Sequence, residues 1–192
     1  MNRFLPILSV AACLLLPMAG HSQSTSEEIP GWSASVHVAG SLIGMEDVAE
    51  SDAGYGAGFE VRRGLSPRWS AFGGIDRFSK ASGDYHLMQF DLGLLYDREP
   101  DAQASSRTYF LGGLALWRAD LDRDGEGRMR WGPGAMMGGG YLRDLTQTTG
   151  LDVGLRLGMG ALGRLPTEVN PDPDSSEHGW SVRLRIGVTR AF

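Results

Sequence analysis

Cysteine, long hydrophobic runs and a surplus of positive charge are missing from most of this chain. Cys13 is the single cysteine among 192 residues. It lies in the N-terminal leader, so the rest of the chain has no disulfide framework and no thiolate metal site. Beyond the leader, no apolar run reaches the ~20 residues that a spanning helix needs. No stretch sustains a helical period either. Lys and Arg number 18 against 23 Asp and Glu, a net charge of −5 that becomes −6 without Arg3. An acidic balance of this kind argues against nucleic acid as a partner. Glycine is the residue in excess: 28 positions, about twice the usual share. Tryptophan, leucine and arginine are interleaved with it, which excludes both collagen-like and low-complexity sequence.

The leader itself is legible. Asn2-Arg3 followed by FLPILSVAACLLLPMA and small residues near Gly20 to Ser22 form a charged start, a short apolar core and a cleavage region. Residues 1–22 therefore read as a secretory signal peptide cut near Ser22, 23–30 as a short N-terminal segment, and 31–192 as one domain. Val10-Ala11-Ala12-Cys13 resembles a lipoprotein box, but five further apolar residues follow Cys13, so lipidation is not expected.

What the mature chain has is alternation. Leu151, Val153, Leu155, Leu157, Met159 and Ala161 oppose Asp152, Gly154, Arg156, Gly158 and Gly160. Near the C-terminus, Trp180, Val182, Leu184, Ile186 and Val188 oppose Ser181, Arg183, Arg185, Gly187 and Thr189. A period of two means strands with one apolar and one polar face. Eight segments follow this rule: 31–43, 54–63, 68–78, 85–97, 107–118, 129–143, 150–161 and 180–192. In the two with the weakest parity, Phe72, Phe110, Leu114 and Leu116 are assigned to the inner face. Pro133 is expected at a strand end or bulge. Connections GLSP and DLTQTT are tight, whereas those after the first, third, fifth and seventh segments are longer and polar.

Alternation alone leaves open which face turns outward, and a soluble periplasmic barrel reads the same way. Two features favour a membrane. The polar face is mostly glycine, serine and alanine with a few charges, which suits the narrow lumen of eight strands. On these boundaries Trp32, Trp69, Trp117, Trp131 and Trp180, with Tyr55, Tyr85, Tyr96, Tyr109 and Tyr141, fall at or near strand ends, as interfacial girdles require. Hydrocarbon admits only sheets without an unpaired edge. An all-β, eight-stranded antiparallel transmembrane β-barrel is the expected fold.

The leader, the eight segments and Phe192 after an alternating strand together resemble the small bacterial outer-membrane barrels of the OmpA/OmpX type, across residues 30 to 192. The resemblance implies a bacterial outer-membrane location, contact with membrane lipid and lipopolysaccharide, and Phe192 as the signal read by the barrel-assembly machinery. Arg190 departs from the pattern, since the family usually has an apolar residue two before the end; an arginine there can snorkel.

Two groups of residues are candidates for chemistry. His37, Glu60, Arg62, Asp76, Asp91, Asp152, Arg156, Arg183 and Arg185 fall on the polar face, either as a lumen ion-pair network or as a charged gate. DLDRDGEG places Asp120, Asp122, Asp124 and Glu126 in the third external loop. Counting twelve from Asp120 reaches Trp131 rather than a bidentate glutamate, and the flanks are not helical, so no helix–loop–helix calcium site is expected. A weak calcium site and a solvated acidic loop are the alternatives, and no other cofactor is implied. Ser175, Ser176, Glu177 and His178 are too close together in sequence to form a catalytic triad. The expectation is a monomeric barrel, not an enzyme, with a structural or surface-interaction role through loops that meet an extracellular ligand. A narrow solute channel comes second, and a lipid A-modifying enzyme third.

Overall fold

The computed structural model describes residues 31–45, 48–80, 85–98, 105–123, 126–163 and 176–192. They form eight strands: β1 (Trp32–Met45), β2 (Val48–Gly64), β3 (Trp69–Lys80), β4 (Tyr85–Asp97), β5 (Ser106–Arg123), β6 (Glu126–Asp144), β7 (Thr149–Gly163) and β8 (Ser176–Ala191). Each pairs antiparallel with the next, and β8 returns to β1, closing the barrel. The two tight turns share one construction. Leu65 donates its N–H to the Trp69 carbonyl, and Ser66 Oγ accepts from the Trp69 N–H. Leu145, Thr146 and Thr149 repeat the same bonds.

Sidedness follows from exposure. Leu114 and Met159 are 70% and 71% exposed, and Val38, Leu92, Leu155 and Ile186 also face out, while His37, Glu60, Arg156 and Arg183 are buried. A soluble barrel would invert that arrangement. The outward face is a band of large apolar side chains, a surface stable only against lipid.

The strands outrun their alternation. β2 begins at Val48 rather than 54, β5 reaches Arg123 and β6 starts at Glu126. Cross-strand pairing continues past the alternating stretch, because backbone bonds need no apolar period. Pro133 is well inside β6, opposite Leu116. Pairing of β6 with β7 begins only at Gly134, so at Pro133 that side of β6 is still an edge and no N–H is required there.

Parity in β5 is also corrected. Phe72 is buried as expected, but Phe110, Leu114 and Leu116 face outward, and Tyr109, Leu111, Ala115, Trp117 and Ala119 fill the lumen instead. Both faces of this strand are apolar, so its pattern holds no sign of which one turns in. Two of the ten girdle aromatics, Trp117 and Tyr109, are thus lumen residues, while Trp32, Trp69, Trp131 and Trp180 remain exposed.

Candidate functional site

The lumen has two sectors. One is apolar, with Phe72, Phe78, Leu87, Leu111, Trp117 and Met136 at its centre. Glycine makes room for it. A Cβ at Gly158 or Gly160 would come within 3.2 or 3.0 Å of the Trp117 ring, so the β7 wall must be glycine where this indole is seated.

The other sector gathers all nine residues read as lumen charges. Arg62 donates from Nε to Glu60 Oε1 (2.7 Å) and from Nη2 to Asp152 Oδ2 (2.5 Å). Glu60 also accepts from Arg156 and, at 3.2 Å, from Arg185. Arg156 reaches Asp91 at 3.3 Å. Arg183 donates to Asp76 at 2.6 Å and to Asp91 at 3.4 Å. Tyr109 caps one end with a 2.6 Å bond to Asp152, and Gln89 donates to Asp91 at 2.6 Å. Three of the guanidiniums also lie over lumen rings, Arg62 on Tyr109, Arg156 on Phe72 and Arg183 on Phe78.

His37 joins the two halves. Arg185 Nη2 is 2.6 Å from His37 Nδ1, and an arginine can only donate. Nδ1 therefore accepts, and the ring proton sits on Nε2, which donates to Asp76. The imidazole is neutral, so four guanidiniums meet four carboxylates with no net charge. Buried ions persist only when paired in this way. Tyr109 was not legible as a member, because both faces of YFLGGLALW are apolar; Gln89 shares the face of Asp91 by period two, but it carries no charge to single it out.

The acidic group falls mainly outside the described residues. Asp124 is not described, and of the side chains only that of Asp120 is; it accepts from Arg118 Nε at 3.2 Å. The backbone corrects the loop reading: Asp120 and Asp122 lie on β5, Glu126 lies on β6, and Arg123 pairs with Glu126. Ser175 is likewise outside the described residues, and Ser176, Glu177 and His178 are consecutive on β8, where neighbours alternate between faces. One serine–histidine contact does occur on the outward face, Ser79 Oγ at 3.0 Å from His86 Nδ1. Asp120, the cross-strand neighbour of His86, accepts through Oδ1 from Arg118.

No protein-family model matches the chain, and no curated protein matches its sequence. Solved structures do match. Neisserial surface protein A aligns with a TM-score of 0.69 at 19% identity, covering 84% of this chain and 97% of that one. Ail, the attachment invasion locus protein of Yersinia pestis, aligns at 0.51 and 15%, covering 83% and 99%. At such identities the likeness establishes architecture alone, and that architecture is the small eight-stranded β-barrel of the bacterial outer membrane.

Proposed function

We propose that this protein is a sealed, non-conducting outer-membrane barrel with a structural or surface-interaction role, in envelope integrity, adhesion or resistance. The observation that carries the reading is the filled lumen. A charge-neutral network joined to a packed apolar sector occupies the space through which a solute would pass. The second support is the β5–β6 hairpin, which continues five residues past Arg118 to Arg123, about 17 Å of paired strand. It is a rigid platform on which an extracellular partner can be recognised. Two barrels of the same fold are named a surface protein and an attachment invasion locus protein, in keeping with such a role.

Planar-bilayer recording tests it. The parent chain is expected to give no discrete conductance steps, whereas Arg183→Ala, which unseats Asp76 and Asp91, should give brief openings. Regular steps from the parent would favour the narrow channel instead.

A further inference from the structure

Rows across the outward face can be read from the strand register. Trp69, Tyr96 and Phe110 are cross-strand neighbours near the tight-turn end. Eight residues further along each strand, Arg77, Met88, Arg118 and Trp131 form another such row. Eight residues span about 26 Å of strand. For strands tilted by about 40° this is ~20 Å along the membrane normal, near the ~25 Å height of the apolar band in such barrels. The arginine row thus stands where acyl chains give way to headgroups, at the end opposite the tight turns.

Its two arginines flank a single apolar column. Arg77 on β3 and Arg118 on β5 are two strands apart, about 10 Å between backbones, and β4 between them presents Met88, Phe90 and Leu92. Arg77 is exposed and makes no side-chain bond among the described residues. Arg118 is held in place: its guanidinium lies 5.6 Å over the Trp131 ring, which stacks on Phe90 at 6.0 Å. Its Nε bonds Asp120, which leaves the terminal nitrogens as further donors. In the next row outward, Ser79, His86 and Asp120 are neighbours. Asp120 is the acidic side chain of that row, and one carboxylate offsets only half of the positive charge of the two guanidiniums.

We propose that this row is a docking site for the phosphate-bearing headgroup of an outer-leaflet lipid. The phosphate is gripped between Arg77 and Arg118, with an acyl chain lying along Met88, Phe90 and Leu92. Guanidiniums suit phosphate because they offer paired donors in a planar fork. A membrane-anchored phosphate fits better than a free one because the cations sit directly at the end of exposed apolar side chains. The inference needs only a barrel that spans a bilayer, so it survives or fails independently of conductance.

The test uses the full chain folded in phosphatidylcholine vesicles doped with spin-labelled phosphatidic acid or spin-labelled phosphatidylcholine. Electron paramagnetic resonance then reads the fraction of each held at the protein. The parent should prefer phosphatidic acid, and each arginine should contribute about fivefold. Arg77→Gln with Arg118→Gln should bring the preference close to one. Arg143→Gln, at the tight-turn end, should leave it unchanged, and Asp120→Asn should raise it. Heat-modifiable migration on a gel confirms that each variant is folded; if the double variant is not, Asp120→Asn decides, and no rise overturns the site. An indifferent parent, or an equal loss with Arg143→Gln, also overturns it. So does millimolar inorganic phosphate that erases the preference, because the site would then belong to a free anion.

Discussion

At the residue scale, Glu60 is the member of the network whose loss should be felt most. Its two oxygens serve Arg62, Arg156 and Arg185. Glu60→Ala takes a carboxylate from three buried cations, of which Arg62 keeps Asp152, Arg156 keeps Asp91 and Arg185 keeps only its bond to His37, and breaking a buried pair costs about 3–5 kcal/mol. Urea unfolding in detergent micelles, followed by tryptophan emission, should show a loss of that size. Glu60→Gln keeps the shape and should lose less. Gly160→Val tests the indole seat. Its added atoms meet Trp117 and the Pro133 carbonyl, and overpacking of this kind costs about 1–3 kcal/mol.

At the element scale, the far end of the β5–β6 hairpin separates a strand from a loop. Amides in 119–123 and 126–130 that are bonded across the hairpin should exchange slowly with deuterium in micelles, although they stand beyond the apolar band. Exchange at loop rates would contradict the register between Arg123 and Glu126. This part of the fold could not be seen in the chain, because ADLDR and EGRMR are mostly charged residues, and backbone pairing leaves no other mark. For the same reason the segment containing Asp120 and Asp122 read as an acidic loop. Pro133 misled differently. A proline inside a strand argues against pairing on the side its nitrogen faces, and only the position at which β7 joins β6 shows that this side is free.

At the scale of the whole molecule, the outward turn of the apolar face has a direct optical consequence. In a variant retaining only Trp131, brominated lipid should quench the emission strongly. In a variant retaining only Trp117, at 0% exposure, quenching should be weak. Equal quenching would mean that the two faces are exchanged. Burial of Trp117 shows why the sequence count of rim aromatics overreached: an aromatic is equally at home at an interface and in a packed lumen.

The sequence by itself determined the number of strands, their approximate spans and the sorting of Glu60, Arg62, Asp152, Arg156, Arg183 and Arg185 from their apolar neighbours. Those properties depend on period two, which is written along the chain. Tertiary structure decided which charges meet. It also decided that Tyr109 and Trp117 belong inside, and that Arg77 and Arg118 stand in one row 41 residues apart in sequence. Each of these depends on the register between strands. Register is set by closing the ring, where every backbone group finds its partner at once, and no single segment contains that information.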